Sequence, residues 1–186
     1  GYYKDNTVGL VVDCCTVRIV NPNTHKECRG DEEGEIQVRG DNVMLGFWDD
    51  PQSAAEVIED GWLKTGDLGH FDRDGFLVLT GRIKNIIILQ NGKNISPEEI
   101  ESMLQEHAMI KEVVVTAGSG DNIRAIIVPD DVLSAAMSPE MLTQVLQKAI
   151  DQINDRLPYY KHVAEFTVRK TEFEKTTTKK IMRYKV

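Results

Sequence analysis

Long apolar runs are missing from this chain. No stretch approaches the roughly 18 residues that a membrane-spanning helix needs. The opening, "GYYKDNTVGL", lacks the apolar core of a secretory leader. Cysteine is scarce. Cys14, Cys15 and Cys28 are odd in number, two are adjacent, and no Cys-x-x-Cys pair occurs. That argues against a disulfide framework and against a zinc site. It leaves small thiols in a reducing, cytoplasmic setting and no expected metal site. Basic charge is also short: 22 Lys and Arg against 30 Asp and Glu give a net charge of −8. Such a balance is poor for a general nucleic-acid binder. There is no internal repeat, no low-complexity tract and no Gly/Ser linker. The chain does not open on Met, which suits a piece of a longer protein.

What is present divides in two. The 186 residues are enough for one ordinary domain or two small ones. Residues 1–81 carry 7 Lys and Arg against 16 Asp and Glu, whereas residues 82–186 carry 15 against 14. From Arg156 onward the count is 9 against 3, a locally basic end compatible with a phosphate-bearing small ligand. The pattern changes with the charge. In the first half "CTVRIV" and "EIQVRG" alternate as strands, and "DDPQSAAEVI" reads as a short helix entered through Asp-Pro. "GHFDRDGFLVLTGR" reads as a hairpin turning at Asp74 and Gly75. Helix is scarce there, so a small barrel-like or twisted sheet is expected over 1–82.

Beyond Arg82, "NIIIL" and "KNIS" flank Asn91 and Gly92, a second hairpin candidate. Ser96 is placed to cap a helix with Pro97 at its first position and Glu99 completing a capping box. Ile100, Met103, Leu104 and His107 follow at helical spacing. "KEVVVTAG" and "IRAIIVPD" read as strands. A second helix starts at Ser138 with the stripe Met141, Leu142, Val145, Leu146, Ala149, Ile150, Ile153 and Leu157, stopping before Pro158. "AEFTVRK" reads as a last strand. The expected fold class is α+β: a β-rich subdomain over 1–82, then a small α+β domain over 83–186 with two main helices on a sheet.

Four polar groups stand out. Asp67, in the Gly-flanked turn of "WLKTGDLG", could accept hydrogen bonds from a ribose diol, or be an ordinary turn aspartate. Arg82 could fork onto a phosphate or a ribose hydroxyl, or form a surface ion pair with the acidic half. Lys84 alone is nearly featureless. Lys179, Lys180 and Arg183 of "EKTTTKKIMRYKV" could face phosphate, or form a solvated charge run.

Taken together, these stretches resemble the adenylate-forming superfamily of acyl-CoA synthetases, luciferases and peptide-synthetase adenylation domains. "WLKTGDLG" is similar to its aromatic-x-x-Thr-Gly-Asp motif. "GRIKNIIILQNGKNISPEEIE" is similar to its Gly-Arg-x-Lys/Asp hinge motif and the Gly-x-x-Ile-x-Pro-x-Glu-Ile-Glu that follows. "EKTTTKKIMRYKV" is similar to its terminal Lys-Thr-x-Ser/Thr-Gly-Lys motif. "GEIQVRGDNVMLGFW" is a weaker fourth match. The form "IIILQNGKNISPEEIE" most resembles bacterial long-chain fatty acid–CoA ligases.

The resemblance implies an ATP-dependent acid–thiol ligase. A carboxylate and ATP give an acyl-adenylate and pyrophosphate, then CoA takes the acyl group and AMP is released. It implies that Asp67 and Arg82 hold the nucleotide and that Lys84 is a hinge for a mobile carboxy-terminal domain. Lys180 would be the catalytic lysine, and Gly92 and Lys93 would line the pantetheine passage. ATP or AMP with Mg2+ and CoA are the implied cofactors and co-substrate, with the Mg2+ site outside this chain. The family's phosphate loop and Tyr-Gly-x-Thr-Glu motif are absent, so the chain resembles the last third of such an enzyme. It is expected to be inactive without its amino-terminal domain. A fatty-acyl substrate would suggest peripheral membrane contact, although no basic amphipathic helix supports it.

The tail departs from the family's pattern. Lys179 stands where the family has Gly, and Glu174 where it often has Pro. Ile181 and Arg183 put Lys180 in the catalytic register, with Lys179 the alternative. Two other readings are a domain that loads a carrier protein and a free-standing nucleotide-binding or interaction module.

Overall fold

A computed structural model describes residues 3–90, 92–120 and 122–186. The chain divides into two compact units, residues 1–85 and 86–186.

The first unit is built on one sheet. Its strands are β1 (Cys15–Val20), β2 (Gly34–Gly40), β3 (Ile58–Glu59), β4 (Trp62–Phe71) and β5 (Leu77–Arg82), with the short helix α1 (Pro51–Val57) before β3. The order is β1-β2-β4-β3, with β5 also pairing β4. The pairs are antiparallel. The sheet is curled but incompletely closed, so the barrel-like expectation is corrected to an open half-barrel. Alternation puts Ile19, Ile36 and Leu68 inside. Asp50 caps α1 through the Ser53 N–H at 3.0 Å, and Pro51 needs no donor there. The β4–β5 turn closes on Asp72, whose Oδ1 accepts the N–H groups of Asp74 and Phe76, both at 2.9 Å. Lys4 ties the start of the chain to this turn through Asp72 and Asp74.

The second unit opens with two short paired strands, β6 (Ile87–Ile88) and β7 (Asn94–Ile95). Gly92 lies in their connection; Asn91 lies outside the described residues. Helix α2 (Pro97–Gln105) follows, then β8 (Ile110–Ala117), β9 (Ile123–Pro129), the short α3 (Asp131–Ser134), α4 (Pro139–Asn154) and β10 (Val163–Val168). β9 is central, antiparallel to β8 and parallel to β10.

The two faces of this sheet have different cover. Val113, Val115, Ala125 and Ile127 meet Ile100 and Leu104 of α2 and Leu146, Ile150 and Ile153 of α4 in one core. Val114 and Val128 face the other way and pack with Phe173. Period-two alternation in the strands and the helical stripes thus divide the apolar residues between two layers.

The helix signals held unequally. Ser138 caps α4 through the Met141 N–H at 3.2 Å, a bond type that contributes about 1 kcal/mol. Met141, expected in the stripe, is exposed instead. Ser96 makes no capping bond. Its hydroxyl is buried and finds no partner among the described residues. Glu99, expected in a capping box, pairs with Lys161 at 2.5 Å. α2 ends at Gln105, which leaves His107 beyond it. No helix is expected from the sequence at α3, which Asp130 caps through the Val132 and Leu133 N–H groups.

Candidate active site

Asp67 does not sit in a turn, as its flanking glycines suggest. It lies inside β4, on a bulge. Across from β2, Glu35 pairs with Leu68 and Gln37 with Lys64. Thr65, Gly66 and Asp67 therefore stand opposite Ile36 alone and are pushed out of the ladder. Gly66 has φ +70°, the left-handed region that glycine enters freely. The Thr65 hydroxyl donates to the Ile36 carbonyl at 2.7 Å and accepts the Asp67 N–H at 3.1 Å.

A second layer supports this bulge, and the sequence reading missed it. Glu35 Oε1 accepts the Gly66 N–H at 3.3 Å, while its Oε2 accepts from the Gln37 amide at 2.9 Å. Gln37 is buried, and its carbonyl oxygen accepts two bonds from Arg18, at 3.0 and 2.8 Å. The Arg18 guanidinium lies 4.2 Å from the Trp62 ring centroid. Alternation could not have found this layer: Gln37 follows the inward Ile36 and lies on the other face of β2, where the bonds to Arg18 and Glu35 satisfy its buried amide.

Arg82 ends β5 directly opposite Asp67. Its Nε is 2.8 Å from Asp67 Oδ1, and an Nη donates to the Thr65 carbonyl at 3.3 Å. Both side chains are about half exposed, 46% and 39%. In that setting the pair adds at most about 1 kcal/mol to stability. It still presents a carboxylate and a guanidinium, held by each other, on one accessible edge. Lys84 follows, exposed, in a 3₁₀ turn over Ile83–Asn85.

In the second unit Gly92 has φ +77° and donates its N–H to the Leu89 carbonyl at 2.8 Å. A Cβ there would meet open space, so conformation and not crowding selects glycine. The Lys93 ammonium lies 3.8 Å from the Tyr160 ring centroid, a cation–π contact.

Lys180 stands on a small hairpin in the tail. The Thr176 N–H donates to the Lys180 carbonyl at 2.8 Å, and the Lys179 N–H to the Thr176 carbonyl at 2.9 Å. The Lys180 N–H reaches the Thr176 hydroxyl at 3.2 Å. This turn puts Lys179 at φ +63°, which costs a lysine on the order of 1 kcal/mol.

Two carboxylates, the buried Glu112 and the partly buried Glu101, fasten the tail. Glu112, on β8, accepts the Phe173 N–H at 2.9 Å and pairs with Lys175. Glu101, on α2, pairs with Arg183 and accepts the Val115 N–H at 2.6 Å. Burial pushes the Glu101 carboxyl up to about 7, against the opposing pull of Arg183 and that N–H. Glu172 is held down to about 2 by its hydrogen bonds to Lys111 and Lys175. Among the described residues no three His, Cys, Asp or Glu side chains gather as a metal site. No helix there is long and apolar enough to cross a membrane. A cavity of about 560 Å³ is lined by residues such as Arg18, Cys28 and Phe71 and includes neither Asp67 nor Arg82.

This sheet, bulge and cation-bearing tail define a class: the chain belongs to the AMP-binding enzyme family. The family's "AMP-binding enzyme C-terminal domain" matches residues 84–186, and its "AMP-binding enzyme" domain matches residues 2–48. Among individual relatives, a long-chain-fatty-acid–CoA ligase of Bacillus subtilis is 36% identical over 98% of this chain and 31% of its own length. An indoleacetate–CoA ligase of Aromatoleum aromaticum is 42% identical over 68% of this chain and 25% of its own length. The solved structure of o-succinylbenzoate CoA synthetase from Bacillus subtilis, in complex with its acyl-adenylate intermediate, superposes with a TM-score of 0.79. It is 30% identical over 96% of this chain and 35% of that chain. The match thus spans between a quarter and about a third of the length of these relatives.

Proposed function

We propose that this chain is the carboxy-terminal part of an ATP-dependent acyl-CoA synthetase. Residues 1–82 would end its large domain, and residues 83–186 would form its mobile small domain. In the first half-reaction a carboxylate oxygen of the acid bonds to the α-phosphorus of ATP. The bond from that phosphorus to the bridging oxygen breaks, and its electron pair leaves with pyrophosphate. In the second, the CoA thiol gives up its proton and its sulfur bonds to the acyl carbon. The acyl–phosphate bond breaks, and AMP departs with the electron pair.

The observation that carries this reading is the Asp67–Arg82 pair on an accessible edge of a chain that matches the family in both units. Asp67 accepts from the ribose hydroxyls, and Arg82 holds Asp67 while donating to the same nucleotide. Lys180 places an ammonium where charge builds on the acyl-phosphate oxygens, which is electrostatic catalysis. Lys84 is the hinge, and Gly92 and Lys93 line the pantetheine passage. Mg2+ accompanies ATP and is held by the rest of the longer protein.

The acid is a long-chain fatty acid in this reading, supported by the Bacillus subtilis relative that covers nearly the whole chain. An aryl-acetate is the second reading, favoured by the 42% match to the indoleacetate ligase. Acid-dependent exchange of labelled pyrophosphate into ATP by the full-length protein tests both. Exchange with palmitate supports the first and exchange with indoleacetate the second. Exchange with neither, nor with any other carboxylic acid, rejects the function.

A further inference from the structure

Lys179 occupies a backbone position that does not suit it. The described non-glycine residues at positive φ are Asn6, His25, Asp49, Asp60 and Lys179. The first four are the residue types that enter this region most readily. Lys179 is the one long aliphatic side chain among them. The hydrogen bonds of the 176–180 turn fix this conformation whatever side chain is present.

Charge sets Lys179 and Lys180 apart as well. From Glu172 onward the other cations of the tail are all paired: Lys175 with Glu112 and Glu172, Arg183 with Glu101, and Lys185 with Glu174. Lys179 and Lys180 are exposed, and neither has an ion-pair partner among the described residues. Their Cα atoms are about 3.8 Å apart, as consecutive residues must be. Glycine at 179 would relieve the strain. Strained positions that survive at such a cost concentrate at functional sites. A multiply charged oxyanion is the ligand that two adjacent unpaired ammoniums fit.

We infer that Lys179 is a second anion-binding residue, which grips the pyrophosphate group while Lys180 serves the acyl-phosphate oxygens. The inference rests on the proposed ligase function. It gives Lys179 a task in the first half-reaction only: stabilising the charge that passes to the departing pyrophosphate.

The test uses the full-length protein and compares Lys179→Gly, Lys179→Arg and Lys180→Ala. Lys179→Gly is expected to raise Tm, because it relieves a strained φ. At the same time it is expected to lower kcat/KM for ATP by roughly 3- to 10-fold, the loss of transition-state stabilisation relative to free enzyme and ATP. Product inhibition by pyrophosphate should weaken by a similar factor, and inhibition by AMP should not move. Lys179→Arg should restore both constants. A change confined to kcat/KM for ATP would assign the contact to the phosphates up to their cleavage. A change confined to pyrophosphate inhibition would assign it to the released product. If Lys179→Gly gains stability with no change in either constant while Lys180→Ala abolishes adenylation, Lys179 binds nothing and the inference is wrong. If Lys180→Ala also leaves adenylation intact, the underlying reading of the tail fails instead, and the inference falls with it.

Discussion

Arg82 and Asp67 are cross-strand partners, the last residue of β5 facing the bulged carboxylate of β4 at 2.8 Å. A pair so exposed is a weak structural element and a good ligand platform. Arg82→Ala should change the unfolding free energy of this chain by less than about 1 kcal/mol. In the full-length protein it should raise KM for ATP severalfold or more. Urea denaturation and initial-rate kinetics on one variant separate the two effects. A large stability loss would mark the pair as structural.

Glu112 presents the opposite case. It is buried and satisfies both a backbone N–H and an ammonium. Glu112→Ala would leave the buried Phe173 N–H without its partner and Lys175 with Glu172 alone, and should destabilise the second unit by about 2–4 kcal/mol. Hydrogen exchange at the Phe173 amide should accelerate with it. An unchanged exchange rate would show that the tail is held by its apolar contacts alone.

Lys180→Ala and Lys84→Pro should separate the two half-reactions. The first should slow acyl-adenylate formation roughly 10²- to 10³-fold, the scale for one lost charge-stabilising group. It should spare thioester formation from preformed acyl-adenylate. Lys84→Pro fixes φ near −65° and should spare adenylation while blocking the thioester step. Single-turnover assays of each half-reaction are the measurement. Equal losses in both steps for both variants would reject the roles given to these lysines.

Glu101 gives the second unit a pH dependence. Its folded value of about 7 lies above the ordinary glutamate value of 4.5, so the folded chain binds this proton more tightly than the unfolded chain. Its contribution to stability is therefore fully present below the unfolded value and is lost as pH rises to about 7. Urea midpoints at pH 5 and pH 8 should differ more for the wild type than for Glu101→Gln. Identical differences would mean that Arg183 keeps Glu101 ionised throughout.

Local signals in the sequence proved sound where the physics is local. Alternation placed β1 and β2, Pro51 and Ser138 marked helix starts, and Asp74 with Gly75 marked a hairpin turn. They failed where distant partners decide. Ser96 looks like a cap, but its hydroxyl is buried and makes no capping bond among the described residues. Asp67 looks like a turn residue because its glycines hide a bulge, which is defined only by the register against β2. The support from Arg18 through Gln37 to Glu35 joins residues up to 19 positions apart. The tail is intermediate. Its lysines were visible as candidates, but the left-handed φ of Lys179 depends on the turn closed by Thr176.

The second face of the β8–β9–β10 sheet is roofed by the tail itself. Phe173 lies against Val114 and Val128, with Ile126 and Ile181 beside them. Lifting the tail would return a buried Phe to water, at a cost of roughly 1.5–3 kcal/mol for that side chain alone. It would also break the bonds to Glu112. Lys180 is therefore no passenger on a loose strap. It rides on a fixture, and its backbone can travel far only by carrying the sheet and its helices along.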